Sequence, residues 1–150
     1  MKKLLKTKVT TSIFEVMETM FYFTMEEKEN TGEGLSDLFD MQTLRACRVT
    51  FSGEYSGSIS LLIPRSVLVT MTQNFMGEDN DDPPEELTDG TLKEALNMIA
   101  GSSLTKMNEE SYMGLGIPEM ADAGSVAWDA ESAVFNTGQG LIGACVEVTA

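Results

Sequence analysis

A long amphipathic run, from about residue 85 to residue 110, limits the folds that are open to the rest of the chain. At roughly 100° per residue its apolar side chains fall on one broad stripe, which predicts a helix with one face against a core. The core stripe contains Leu92, Ala95, Leu96, Ile99, Ala100, Ser103 and Met107.

The other side of the same run carries a carboxylate and a carboxamide between two glycines. Gly90, Glu94, Asn97 and Gly101 gather within roughly 60° of one another on the helical wheel. Glu94 and Asn97 are three residues apart and therefore point the same way, with no side chain at either glycine to hold a partner off. The simplest interpretation is a solvated helix face, and the alternative is a functional pair.

Charge and composition exclude several classes of function. The net charge of −14 sets 24 acidic against 10 basic residues, so a nucleic-acid backbone would be repelled. Histidine is absent, which removes the Ser-His-Asp and Cys-His nucleophile schemes and argues against a zinc site. Any chemistry must use carboxylates, amides or hydroxyls, or groups that a partner supplies. We expect no metal and no cofactor of the protein's own.

The chain has the features of a single cytoplasmic domain over residues 1–150. No run approaches the roughly 20 apolar residues of a membrane helix. Lys6 and Lys8 interrupt the place where a signal peptide would need an apolar segment. Cys47 and Cys145 are too few for a disulfide framework, which indicates reduced thiols.

The remaining periodicities predict further helices and strands in a definite order. A first helix is expected over residues 10–27, with Thr10, Thr11 or Ser12 as its N-cap. Residues 44–51 and 55–63 predict a β-hairpin, and a helix is expected to begin at Pro64 and end at Gly77. After the long helix we expect a loop over 114–118, a short strand over 125–128, and a second hairpin from 133–136 and 141–148.

Two motifs have simpler interpretations than the functions they suggest. Gly138-Gln-Gly-Leu-Ile-Gly143 matches the dinucleotide-binding fingerprint, but the residues after it alternate like a strand where that motif needs a helix. It is interpreted as a hairpin turn. The acidic run 78–84 lacks the ligand spacing of an EF-hand and is interpreted as a solvated turn.

The chain contains an internal repeat. When the first helix is laid over the long helix, Glu15 falls on Glu94 and Glu18 falls on Asn97, and each helix is followed by a strand pair. Two α-β-β units predict an α+β fold, in which one antiparallel sheet carries the long helices on one face. Ionised Glu18 cannot donate a hydrogen bond, whereas the Asn97 amide donates and accepts, so only the second stripe is expected to be competent.

The run Glu94-Ala-Leu-Asn97-Met-Ile-Ala-Gly101, with Pro118 beyond it, resembles the Glu-x-x-Asn signature of the chemotaxis phosphatases CheC, CheX and FliY. The hairpin and helix over residues 55–77 are also similar to the corresponding part of CheX. A single intact signature, in the second repeat, resembles CheX rather than the two-site members. Gly90 stands where the signature often has Asp or Ser, and Pro118 matches the family proline only approximately.

This resemblance implies a phosphatase that removes phosphate from the phosphoaspartate of a CheY-type response regulator. It implies that Asn97 orients the attacking water and that Glu94 docks to a receiver-domain Lys, with Gly90, Gly101 and Pro118 at the partner contact. The phosphoaspartate and Mg²⁺ would belong to the partner, and the family is commonly homodimeric. The alternative is a non-catalytic module that binds a response regulator or a flagellar component.

Overall fold

The computed structural model describes residues 2–107 and 114–149. Its helices are α1 (Lys2–Phe21), α2 (Leu35–Leu38), α3 (Arg65–Met76) and α4 (Glu85–Met107). Its strands are β1 (Glu26–Lys28), β2 (Leu44–Ser52), β3 (Ser56–Pro64), β4 (Gly114–Leu115), β5 (Glu119–Ala121), β6 (Ala133–Asn136) and β7 (Leu141–Thr149). Residues 108–110 of the predicted long helix lie outside the described residues.

The strands form one antiparallel sheet in the order β1-β6-β7-β3-β2, with β4 and β5 both paired to the outer side of β2. The two predicted hairpins, β2–β3 and β6–β7, meet at the centre, where Ser60 of β3 lies opposite Cys145 of β7. This arrangement confirms the α+β fold class that the repeat predicts.

Each half of the chain also lends a short strand to the other half's hairpin. β1 precedes the first hairpin but pairs with β6, with Glu27 opposite Phe135. β5 precedes the second hairpin but pairs with β2, with Met120 opposite Cys47. The two repeats therefore share one sheet instead of building two separate units.

The long helices α1, α3 and α4 cover one face of this sheet. Leu92, Leu96 and Ile99 of α4 are completely buried there among side chains of α1, β2, β3 and β7. A smaller apolar cluster, built around Phe39 and Val126, covers part of the opposite face. Burial of each large aliphatic side chain contributes about 1.5–3 kcal/mol to folding, so this packing sets the orientation of α4. Within the described residues no helix combines the length and apolar character needed to span a membrane.

The first helix begins earlier and ends earlier than predicted. It starts at Lys2 because Leu5 and Val9 extend the buried stripe toward the N-terminus, and the hydroxyl of Thr11 bonds to the Thr7 carbonyl at 3.1 Å inside the helix instead of capping it. It ends at Phe21, and the last residues of the predicted helix form β1 instead. Pro64 likewise immediately precedes α3 instead of being its first residue.

The predicted strand over residues 125–128 is wrong. A 3₁₀ turn occupies Ala123–Ser125, and the Asp122 carboxylate accepts a hydrogen bond from the Gly124 backbone N–H at 3.0 Å. Trp128 then packs edge-on against Phe39, and its indole N–H donates to the Glu33 carbonyl at 3.1 Å. The expected loop over 114–118 is also partly strand, since β4 lies within it.

The fingerprint-like glycines belong to a hairpin turn, as predicted. Gly138 and Gly140 connect β6 to β7 with positive φ angles of 81° and 152°. Gly143 lies in β7, where a Cβ atom would come within 2.8 Å of the Trp128 ring. Its lack of a side chain therefore serves the packing of Trp128, and β7 continues where a nucleotide site would need a helix.

Both cysteines are free and buried. Burial raises the pKa of the Cys47 thiol to about 12. The Cys145 thiol, whose pKa is also raised by burial, donates a hydrogen bond to the Ala127 carbonyl at 3.0 Å. Because the thiolate is the reactive form, neither group has the character of a nucleophile.

We predict that Tyr22→Gly stabilises the protein. Tyr22 ends α1 with a positive φ of 60°, and its side chain is 73 % exposed, so the substitution relieves backbone strain with little loss of packing. The expected gain in the free energy of unfolding is about 1 kcal/mol, measured by urea denaturation. Tyr22→Ala is the control, because it keeps the strain. Equal stabilities of the two variants would contradict the explanation.

Candidate functional site

The polar stripe of α4 faces away from the core, as the helical wheel predicts. Glu94 and Asn97 are both exposed, while Leu92, Ala95 and Leu96 between and around them are completely buried. The helix is stabilised locally by Glu85 and Glu86 in its first turn and by Lys106 in its last turn, where the charges suit the helix dipole. The carboxylate and the amide are thus presented by a long helix that is supported by the sheet.

The two glycines of the stripe leave open surface on either side of this pair. A Cβ atom built at Gly90 or at Gly101 would meet nothing within 4 Å. Neither glycine is among the residues with positive φ, so the helix does not need glycine at these positions for conformational reasons. Their consequence is clearance for an approaching surface.

On the equivalent stripe of α1, one carboxylate is engaged by a contact within the protein. Lys106 of α4 forms an ion pair with Glu15, with the Lys106 Nζ atom 2.9 Å from the Glu15 Oε2 atom, and it also donates to the hydroxyls of Ser12 and Ser102. Among the described residues, Glu94 has no such cation. In the aligned repeat Gly101 corresponds to Tyr22, which directly follows α1 and has a largely exposed side chain. The two stripes therefore differ in charge and in steric access.

The structure places the predicted site residues on two segments. Gly90, Glu94, Asn97 and Gly101 share the polar side of α4. Pro118 lies half-buried between β4 and β5, and β5 is in contact with α4.

An ion pair that sequence patterns did not predict joins α4 to the sheet beside this stripe. The guanidinium of Arg45 in β2 contacts both carboxylate oxygens of Asp89, at 2.8 and 3.0 Å from Nη2, and its Nε lies 3.3 Å from Oδ1. The same Nη2 is 2.9 Å from the Glu85 carboxylate. An Arg on a predicted strand was the only signal, because helix and strand periodicities do not indicate which residues meet between elements.

The side chains of the stripe can bind and orient a group through hydrogen bonds. The Glu94 carboxylate accepts hydrogen bonds, and the Asn97 amide both donates and accepts them. Within residues 2–107 and 114–149, no three acidic or cysteine side chains come together as a metal-binding group.

We predict that Gly90→Ala stabilises the fold. The position lies inside α4 with free space around it, so alanine gains helix propensity worth about 1 kcal/mol without a clash. Thermal or urea unfolding measures the change. Gly57→Ala is the contrasting control, since a Cβ atom there would collide with the Glu147 carbonyl oxygen, and it should destabilise. A loss of stability in Gly90→Ala would show that Gly90 has a structural role.

The fold is that of a group of solved chemotaxis proteins. Chemotaxis protein CheX from Vibrio vulnificus superposes with a TM-score of 0.70 at 19 % identity, over 94 % of this chain and 95 % of that one. A CheX from Desulfovibrio desulfuricans gives 0.70 at 17 % identity, over 95 % and 99 %. The CheX of a CheX–CheY–BeF₃–Mg²⁺ complex from Borrelia burgdorferi gives 0.69 at 14 % identity, over 96 % and 97 %. At these identities the likeness shows the fold alone.

The sequence itself shows the family. A family model described as "Chemotaxis phosphatase CheX" matches residues 45–136, a range that runs from the second residue of β2 to the end of β6. The chain belongs to this family. No curated protein sequence matches it.

Proposed function

We propose that this protein hydrolyses the phosphoaspartate of a CheY-type response regulator. The observation that carries the proposal is the exposed Glu94–Asn97 pair, presented between two open glycines on a helix of a CheX-family chain. Hydrolysis of an acyl phosphate demands positioning more than covalent chemistry from the catalyst. A chain without histidine can therefore catalyse it.

Asn97 orients the attacking water in this proposal. Its amide has two N–H donors and a carbonyl acceptor, so it can hold a water molecule in line with the phosphorus atom while accepting a hydrogen bond from it. Exposure on α4 allows the side chain to enter a partner's active site. A carboxylate at this position, as at Glu18 of α1, would add negative charge beside an anionic phosphoryl group.

Glu94 docks the partner. A charge-assisted hydrogen bond from a receiver-domain Lys would hold α4 in register and would meet a carboxylate that no described cation engages. Gly90 and Gly101 leave room for the receiver domain, and Pro118 lies at the edge of the same contact. The counterpart Glu15 is already paired with Lys106, which argues against a second docking helix.

The partner supplies the groups that this chain lacks. The Borrelia burgdorferi complex, in which a related fold is bound to a CheY with BeF₃ and Mg²⁺, supports a CheY-like partner. We propose that the phosphoaspartate and the Mg²⁺ both reside on that receiver domain, and that this chain needs no cofactor of its own. A cytoplasmic location and a homodimer are further proposals from the family resemblance, and light scattering tests the second.

The other candidate is a module that binds a response regulator or a flagellar component without hydrolysing anything, because the same stripe could bind a partner without catalysing a reaction. The deciding experiment follows loss of phosphate from a cognate phosphorylated receiver domain with and without the protein. Acceleration supports the phosphatase. Binding without acceleration favours the silent module.

Asn97→Ala is predicted to lower kcat for phosphate loss by about 10²-fold, the scale of losing one preorganised group. Asn97→Asp, which is nearly isosteric, should be equally impaired because it cannot donate to the water. Glu18→Ala, at the equivalent place on α1, is the matched control and should keep full activity. Retained activity in Asn97→Ala would remove Asn97 from the mechanism.

Glu94→Ala is predicted to raise KM for the phosphorylated receiver domain by about tenfold, since it loses a charge-assisted contact with the partner. The dissociation constant for the receiver domain, measured by calorimetry, should rise in parallel. Glu15→Ala provides the comparison and should change neither value. An unaltered KM in Glu94→Ala would place docking elsewhere.

A further inference from the structure

The ion pair between Arg45 and Asp89 lies at the base of the polar stripe and differs from the other ion pairs of the described residues. Three contacts of 2.8–3.3 Å join the guanidinium to one carboxylate, and the Asp89 side chain is only 18 % exposed. By contrast, the Asp82 partner of Arg65 is 94 % exposed. Exposed pairs contribute little, whereas a fork-shaped contact with low exposure fixes both position and orientation.

The backbone of Arg45 is held within the sheet. It lies in β2 opposite Ile63 of β3, and its chain neighbours Leu44 and Ala46 are buried on the other face of the sheet. Side chains alternate between faces along a strand, so Arg45 shares the helix-bearing face with Cys47, which is part of the main core. The guanidinium therefore extends from a strand backbone that is fixed within the sheet, and Asp89 joins α4 to it.

The position of Asp89 along α4 makes the ion pair with Arg45 important for the rest of the helix. Gly90 follows at once, and an interior glycine weakens a helix by about 1 kcal/mol relative to alanine. Glu94 lies five residues beyond Asp89 and Asn97 eight residues beyond it, about 7.5 and 12 Å along the helix axis. Apart from this ion pair, the turns before Gly90 are anchored by the buried side chain of Thr88 and by the contact between Arg45 and Glu85.

We infer that Arg45 and Asp89 are positioning residues, which hold the first half of α4 in register on the sheet, within the orientation that core packing sets, and so aim Asn97 at the partner. Neither side chain touches the reacting atoms. The effect of this ion pair on catalysis rests on the proposed function. Asn97 is the residue most sensitive to a shift of α4, because a misplacement of about 1 Å can cost as much as 10²-fold in rate.

The kinetic test compares Asp89→Asn, Arg45→Met and the double variant with the unaltered protein. Each is expected to lower kcat by about tenfold while changing KM by less than about twofold, the reverse of the pattern for Glu94→Ala. The double variant should be no worse than Arg45→Met, which already removes the contact with Asp89 together with the one to Glu85. Arg45→Lys should restore only part of kcat, because an ammonium group cannot form the fork. Arg65→Met is the matched control and should behave as unaltered.

Amide hydrogen exchange provides a readout that needs no receiver domain. In Asp89→Asn the amides of residues 88–97 should exchange about tenfold faster, while those of β3 and β7 stay protected. Unchanged exchange together with unchanged kcat in Asp89→Asn would overturn the inference, and so would a loss of kcat that only matches the unfolded fraction seen by circular dichroism. If the unaltered protein fails to accelerate phosphate loss, the proposed function fails, and hydrogen exchange still decides whether the ion pair holds α4.

Discussion

The packing of α4 against the antiparallel sheet is the interaction on which the rest of the structure depends. Leu92, Leu96 and Ile99 are completely buried, so a rotation of the helix would expose apolar surface worth several kcal/mol. Because core packing sets the rotation of α4, the side chains on its opposite side must point away from the core. The exposure of Glu94 and Asn97 is a consequence of what the helix buries.

The duplicated architecture makes the difference between the two helices informative. Both α1 and α4 lie on the same sheet face and carry a polar stripe at the same place in the repeat. Lys106 forms an ion pair with Glu15 on the first stripe, whereas the second stripe has open space at Gly90 and Gly101. The fold thus offers two equivalent positions for a polar stripe, and local side-chain contacts distinguish one from the other.

The parts predicted correctly from sequence are those with a strong local period. The hairpin over 44–51 and 55–63, the glycine turn at Gly138 and the exposed stripe of α4 all follow from patterns within a few residues of one another. The predicted start of the first helix is wrong because the hydroxyl of Thr11, interpreted as a possible cap, bonds to the Thr7 carbonyl within the helix. The predicted strand over 125–128 is wrong because Trp128 instead packs against Phe39, a contact that no local pattern indicates.

The sequence by itself determined the fold class, the repeat and the candidate pair Glu94 and Asn97, since helical and strand periods record which face each element buries. Tertiary structure alone decided which short strand pairs with which hairpin, that Lys106 pairs with Glu15 of α1, and that Arg45 pairs with Asp89. The physical reason is distance along the chain. These contacts join residues that lie far apart in sequence, and they form only after the sheet and helices have packed together.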